Sequence, residues 1–310
     1  MVAGSIPAGG ATASADGLGD VLNFGLWMRK QGFKHSTCYY GVQMLNSIAR
    51  KANLNNPETV KEYLANATCS DSRKERLTWE LIRFYKWKNI PFQPPHYKPI
   101  DKLPFIPLET EIDALISGSG RKTACLLQLL KETGMRAGEA YAAKWTDIDL
   151  EQSRIIVQPE KGSRSRTLKV SSRLISMLNR LPKNSQHIFR QEQQDHLTSL
   201  KTARRNFERQ RKRLSIKLQN PRLNQIHLHT LRHFFATMTY NRTRDILYTM
   251  RQLGHHNIMH TLRYTQLVDW PTDQYVCKVA ETVNDATMLI ESGYEYVTDF
   301  NGTKLFRKRK

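Results

Sequence analysis

Six of the twelve prolines fall between Ile90 and Pro107, at Pro91, Pro94, Pro95, Pro99, Pro104 and Pro107. Proline fixes φ and lacks an N–H, so neither a helix nor a central strand can run through such a stretch. The chain is therefore expected to fold as two bodies joined by a semi-rigid linker over residues 90–107. This division sets five segments: a flexible start at 1–19, a helical domain at 20–89, the linker, a larger domain at 108–292, and a hairpin with a basic tail at 293–310.

Before the linker the apolar spacing is helical, with helices expected over 21–31, 36–52, 57–66 and 71–88. Asn56 followed by Pro57 marks a helix start, a capping side chain with proline at the first helical position. The last helix carries Leu77, Leu81, Phe84 and Trp87 at helical spacing, a stripe that reads as core, surrounded by Arg73, Lys74, Arg76 and Lys86. After the linker, helices are expected over 111–117 and 122–133, the second apolar along Ala124, Leu127 and Leu130. Residues 154–158 and 166–170 alternate around Lys161-Gly162-Ser163, the pattern of a β-hairpin. Helical periodicity then returns, including 272–291, before residues 294–306 alternate around the two-residue turn Asn301-Gly302. The fold class is mostly α with a small β-sheet.

Charge narrows the partner. Lys and Arg total 48 against 28 for Asp and Glu, a net +20. A chain so basic is suited to a polyanion, and nucleic acid is the ordinary one. The basic run at 198–218 is one-sided enough to offer Lys201, Arg204, Arg205 and Lys212 as contacts to a DNA backbone. No apolar run approaches the roughly 20 residues a membrane span needs, so no membrane partner is expected. Cys38, Cys69, Cys125 and Cys277 are scattered, with no C-x-x-C pair. They suggest neither a zinc site nor a disulfide framework, and fit a reducing, cytoplasmic, nucleoid-associated protein.

Three short blocks carry the chemistry. Thr133-Gly134-Met135-Arg136-Ala137-Gly138-Glu139 ends one helix at a glycine and places Arg136 where the next begins, where a guanidinium can meet a phosphate. His229-Thr230-Leu231-Arg232 sets His229 and Arg232 three apart on one helix face, with Leu231, Phe234, Phe235 and Met238 on a core-like companion face. Leu253-Gly254-His255 is followed by Thr261-Leu262-Arg263-Tyr264, the tyrosine nine residues after the histidine. Each block alone has a bland reading: a surface arginine, a satisfied histidine, a core tyrosine.

In this order and spacing the blocks resemble the tyrosine recombinase (phage integrase) family, whose pattern runs T-G-[LM]-R-x-x-E, then H-x-L-R-H-x-x-A-T, then L-G-H with a tyrosine nine residues on. The resemblance covers about 108–267. It implies a helical core-binding domain joined by the proline-rich linker to a tyrosine-recombinase catalytic domain. It also implies DNA breakage and rejoining through a 3′-phosphotyrosine on Tyr264, akin to type IB topoisomerase chemistry, with no metal ion and no other cofactor. By the same resemblance Arg136 and Arg232 clamp the phosphate, His229 is the expected base, His255 bonds a phosphate oxygen, and Glu139 orients the site. A lysine on a β-hairpin protonates the leaving 5′-oxygen. Lys161 stands at the matching position, with Lys169 as competitor. His233, His256, Arg263 and Tyr248 take structural readings, although His233 often supports the site in this family.

The residue types suit that reaction. Attack on a phosphodiester builds negative charge, which two planar guanidinium forks can neutralise bidentately where lysine would supply only a point charge. A tyrosine of ordinary pKa, about 10, must lose its proton as it attacks. The family works as a tetramer on two synapsed duplexes carrying attachment sites, and the helical stretch 272–291 is a candidate for docking on a neighbouring subunit or folding back on its own domain.

Residues 3–8, Ala3-Gly4-Ser5-Ile6-Pro7-Ala8, can be encoded by GCG GGT TCG ATT CCC GCC, which contains a string like the T-loop box of tRNA genes with complementary flanks. Integrases of mobile elements commonly target tRNA genes, and some archaeal integrase genes carry their attachment site within their own coding sequence. The expected function is an archaeal mobile-element integrase. The alternatives are an Xer-type resolvase of chromosome or plasmid dimers, a type IB topoisomerase and a catalytically inactive DNA-binding accessory protein.

Overall fold

The computed structural model describes residues 15–160, 162–267, 275–300 and 303–309. The chain divides into two compact units, residues 1–103 and 104–310, and the division falls among the linker prolines. Phe92 and Tyr97 pack on the core of the first unit, Phe105 and Ile106 on that of the second. Between Asn89 and Leu108 no helix or strand forms.

The first unit is four helices, α1 (Ala15–Lys30), α2 (His35–Ala49), α3 (Pro57–Asn66) and α4 (Asp71–Lys88). Helix α1 begins six residues before the expected 21, so structure reaches into the segment read as flexible. Residues 1–14 lie outside the described residues. At α3 the Asn56 side chain accepts a hydrogen bond from the Glu58 N–H at 3.0 Å, satisfying one of the donors every helix start leaves free. Leu77, Leu81 and Phe84 are buried in one core with Phe24, Leu45 and Ile48, while Trp87 is half-buried and tilts against Phe24. Each fully buried side chain of this kind contributes about 1.5–3 kcal/mol of transfer free energy.

The second unit opens with α5 (Glu109–Ser117), α6 (Arg121–Thr133) and α7 (Ala137–Ala142). A single face at Ala124, Leu127 and Leu130 is expected for α6, but Cys125, Leu126 and Leu129 are buried too. The helix is central, packed by α5 and α7 and by two later helices, so no face is exposed between Ala124 and Leu130 and its solvent-facing polar residues sit at its ends. A three-stranded sheet follows, β1 (Ile148–Asp149), β2 (Arg154–Val157) and β3 (Arg166–Lys169). The expected hairpin is β2–β3, registered Ile155 to Leu168 and Val157 to Arg166, with β1 as an added edge. Ile155, Val157 and Leu168 point into the core.

Helices α8 (Ser172–Asn179), α9 (His196–Lys217), α10 (Leu228–Thr243), α11 (Ile246–Leu253) and the short α12 (Met259–Leu262) complete this part. On α10, Leu231 and Phe234 are buried as expected, but Phe235 is only half-buried and Met238 is 40% exposed. The expected core face therefore narrows along the helix. Beyond Tyr264 the helix expected over 272–291 is corrected: Tyr275–Ala280 is a strand, β4, and the helix is only α13 (Val283–Glu291). Thr282 starts α13 by accepting from the Asp285 N–H at 3.1 Å while Asp285 accepts from the Thr282 N–H. Strands β5 (Glu295–Phe300) and β6 (Thr303–Arg309) form the expected terminal hairpin, but β4 pairs with the other side of β6, giving the order β4-β6-β5. The turn residues Asn301 and Gly302 lie outside the described residues. Among the described residues no helix is long and apolar enough to cross a membrane.

Candidate active site

Two glycine turns and one buried arginine build the site. Helix α6 stops at Gly134, whose φ of 58° is left-handed, and a Cβ there would lie 2.3 Å from the Phe235 ring. Helix α11 stops at Gly254 with φ 66°, where a Cβ would meet the Arg164 carbonyl at 2.9 Å. Both positions exclude other residues on conformation and on space. Arg232, on α10, is 1% exposed and donates to the Gly134 carbonyl at 2.7 Å and the Leu253 carbonyl at 2.6 Å. It thus ties the turn that presents Arg136 to the turn that presents His255. Burial, then the neighbouring Arg136, pushes its pKa down to about 9. The pocket holds more positive charge than its own carboxylates balance, and an anion would relieve that.

Arg136 stands at the N-cap of α7 with its side chain partly open. Glu139, 1% exposed, accepts from the Arg136 backbone N–H at 2.9 Å and from its guanidinium at 3.1 Å. It also accepts from Ser163 Oγ at 2.7 Å and Arg166 Nη2 at 2.9 Å. Burial alone would raise the Glu139 pKa, yet the hydrogen bond and charge of Arg166, then Ser163 and the Arg136 N–H, bring it down to about 2. Glu139 therefore anchors the β2–β3 loop to Arg136. Ser163 and Arg166 escaped the sequence reading because both look like ordinary hairpin residues. Their one signal was proximity to Lys161, which itself lies outside the described residues. The competing Lys169 is exposed on β3 and lines a cleft with Arg173 and Tyr248.

Tyr264 is 2% exposed, packed in a small cluster with Ala236 and Leu253. Burial raises its pKa, with Arg232, Arg263 and Arg136 acting in the opposite direction. The histidine that touches it is His233, with Nδ1 2.9 Å from the hydroxyl. His233, expected as a supporting residue of the site, contacts the expected nucleophile directly. His229 instead sets its ring edge-on to His233 at 4.7 Å. The His229 side chain opens to solvent at its rim, but desolvation by the protein around it, then His233, Arg232, Arg136 and Arg204, pushes its pKa down to about 4. Burial, then Arg263 and Arg232, brings His233 down to about 4 as well. In the tautomer that leaves Nδ1 unprotonated, a neutral His233 can accept the Tyr264 hydroxyl proton in this hydrogen bond.

His255 is 9% exposed, shares a 2.9 Å hydrogen bond with Thr261 Oγ1, and is pushed down to about 3 by burial, then by Arg232, Arg136, His260 and Arg166. The Arg164 N–H donates to the Gly254 carbonyl at 3.1 Å, and Arg164 Nε donates to His256 Nδ1 at 3.3 Å, so the hairpin is fixed to this turn as well as to Glu139. Lys201, Arg204, Arg205 and Lys212 are all exposed along α9. Of these, Arg204 lies near enough to act on His229.

A cationic pocket holding a buried tyrosine, built from these three blocks, is matched by the phage integrase family over residues 108–269, more than half of the chain. The chain belongs to the phage integrase family. Among its relatives, tyrosine recombinase XerA of Saccharolobus solfataricus is 31% identical over 189 residues, 60% of each chain. XerA of Pyrococcus horikoshii is 30% identical over 167 residues, 51% of this chain and 55% of that one. The chain thus spans between about half and 60% of the length of these curated relatives. In fold it is similar to the Tn1549 transposon integrase solved with transposon right end DNA, with a TM-score of 0.59 at 16% identity over 88% of this chain and 98% of that one. It is also similar to a lambda integrase dimer bound to a core site, with a TM-score of 0.59 at 14% identity over 82% and 79%. The chain therefore has the integrase fold.

Proposed function

We propose that this chain is a site-specific DNA recombinase that breaks and rejoins duplex DNA through a phosphotyrosine on Tyr264. The observation that carries the reading is the Tyr264 hydroxyl held by His233 within the field of Arg136 and Arg232. In the step we assign, Tyr264 Oη attacks phosphorus and its proton passes to neutral His233. The bond from phosphorus to the 5′-oxygen breaks, and that oxygen takes a proton from Lys161. Arg136, Arg232 and His255 hold the non-bridging oxygens as charge builds. His229, open at the rim, adds a further phosphate contact. The phosphodiester energy stays in the phosphotyrosine, so a 5′-hydroxyl can reverse the step without another cofactor. The exposed cations of α9 grip the backbone, and catalysis takes place in a tetramer on two synapsed attachment sites.

The experiment is a suicide duplex nicked beside the cleavage point. The unaltered chain becomes covalently attached to DNA and Tyr264→Phe does not; an adduct with Tyr264→Phe sinks the assignment. His233→Gln should slow attachment about 100-fold or more, the loss of a positioned base, and more than His229→Gln does at saturating DNA.

We assign the activity to integration and excision of an archaeal mobile element at a tRNA gene, supported by the codons available to residues 3–8. Sequencing those codons tests the attachment site, since codons unable to form the T-stem rule it out. Resolution of chromosome or plasmid dimers is the second reading, favoured by the Xer recombinases among the relatives.

A further inference from the structure

His255 is held on both its backbone and its ring. Its backbone N–H donates to the Met250 carbonyl at 3.1 Å across the Gly254 turn, and one ring nitrogen, Nδ1, lies 2.9 Å from Thr261 Oγ1. Thr261, on α12, is 0% exposed. Its N–H donates to the Ile258 carbonyl at 2.7 Å, and its own carbonyl accepts from the Tyr264 N–H at 3.0 Å. One threonine thus touches the histidine assigned to the phosphate with its side chain and the nucleophile with its backbone.

Which ring nitrogen carries the proton follows from the partners. Burial, then Arg232, Arg136, His260 and Arg166, keeps the His255 ring neutral, and a neutral imidazole has one N–H donor and one lone pair. Were the proton on Nδ1, Thr261 Oγ1 would accept it and the threonine's own O–H would need another acceptor. Among the described residues that side chain makes no other hydrogen bond. A buried donor left unpaired lowers the population of such an arrangement roughly tenfold or more. With the proton on Nε2 both groups are satisfied, because the hydroxyl donates to Nδ1. Nε2 has no partner among the described residues and is not sealed from solvent. Its N–H is then free for a ligand in the pocket whose guanidiniums, Arg136 and Arg232, act on this ring.

We propose that Thr261 is a positioning residue that fixes His255 in the tautomer with its proton on Nε2, so that this histidine donates a hydrogen bond to a phosphate oxygen. The opposite tautomer would turn a lone pair towards an oxygen that gains negative charge during attack. In the assigned one a donor stands ready and needs no reorganisation as the charge builds. The inference rests on the recombinase reading and adds to it where the proton sits and which side chain keeps it there. Because Tyr264 is held by the Thr261 carbonyl, a change of side chain at Thr261 removes the bond to His255 and leaves the bond to Tyr264.

The test pairs a spectrum with a rate. Magnetic resonance of the full chain carrying isotope-labelled histidine, free of DNA, reports the tautomer of each ring, and His255→Gln identifies its signal by the loss. The unaltered chain should show His255 with Nε2 protonated and Nδ1 bare. Thr261→Val, which keeps the shape and removes the hydroxyl, should show a mixture. In attachment to a nicked suicide duplex at saturating DNA, Thr261→Val should be slower by about 10-fold, short of the about 100-fold or more that loss of a whole preorganised donor costs. Thr261→Ser restores the hydroxyl and should recover the rate. In a His255→Gln chain, Thr261→Val should slow attachment no further, because the threonine acts through the histidine. A proton on Nδ1 in the unaltered chain overturns the proposal, and that result needs no variant to fold. So does Thr261→Val attaching at the unaltered rate, Thr261→Ser attaching as slowly as Thr261→Val, or equal slowing by Thr261→Val with and without His255. The spectrum involves no DNA. An unaltered chain that forms no adduct removes the recombinase reading and this role with it, whereas a wrong tautomer removes this role alone.

Discussion

Replacing Glu139 with glutamine keeps the shape of the side chain and removes its charge, which isolates what the carboxylate does. It is 1% exposed and receives the Arg136 N–H, the Arg136 guanidinium, Ser163 Oγ and Arg166 Nη2. The fall in its pKa from 4.5 to about 2, at about 1.4 kcal/mol per pKa unit, means that the folded state favours the ionised carboxylate by roughly 3 kcal/mol. A glutamine must in addition turn an amide N–H₂ towards donors that cannot accept it. The folded-state pKa is depressed, so the stabilisation is complete above about 4.5 and is lost as pH falls through about 2. Chemical denaturation at pH 7 should therefore show Glu139→Gln less stable by about 3 kcal/mol. Attachment to a nicked suicide duplex should fall with it, because Arg136 and the β2–β3 loop lose their common anchor. The difference in stability from the unaltered chain should shrink as pH drops from 4.5. A loss below about 1 kcal/mol at pH 7, or a difference that does not shrink in acid, would refute the account of Glu139 as a charged anchor.

Gly254→Ala should destabilise by about 1–2 kcal/mol from left-handed strain alone, and by more because its Cβ lies 2.9 Å from the Arg164 carbonyl. Gly32→Ala, at φ 78° with open space around it, should show the strain without the contact; equal losses in denaturation would discard the close approach. His255 is held neutral, its pKa depressed to about 3 from 6.5. Stability from this group is thus complete above pH 6.5 and declines by up to about 1.4 kcal/mol per pH unit as pH falls towards 3. His255→Gln should flatten the acid limb of a melting curve between pH 6.5 and 5, and an unaltered slope would contradict the neutral, buried histidine.

How much of this could be read beforehand depended on whether the information was local. The linker was legible because a proline excludes a helix interior wherever it stands and six of them crowd residues 90–107, and the start of α3 because Asn56 and Pro57 act within one turn. Helix α6 was legible as a helix but not as the centre of the unit, since burial on every side is set by neighbours distant in sequence. Strand β4 was misread for a related reason. Its alternation is short, and its partner β6 lies some thirty residues later, so a helical period could be fitted to Tyr275–Ala280. Tertiary pairing overrides local pattern where a segment is this short.

In the candidate site, the blocks revealed which residue types gather but not which atoms meet. His229 and His233 are one helical turn apart on α10, so either could face a tyrosine arriving from α12, and spacing alone favours neither. What decides between them is the path of the chain after Gly254. The left-handed turn there sends His255 onto Thr261 at 2.9 Å, the turn of α12 brings Tyr264 down between Ala236 and Leu253, and the hydroxyl arrives at His233. The same turn leaves the Leu253 carbonyl for Arg232 and the Gly254 carbonyl for Arg164. A glycine without a functional group thereby sets the positions of an arginine, a histidine and a tyrosine together. Such a role can be recognised in a sequence only when the neighbouring motif is already known, because the residue that carries it has no chemistry of its own.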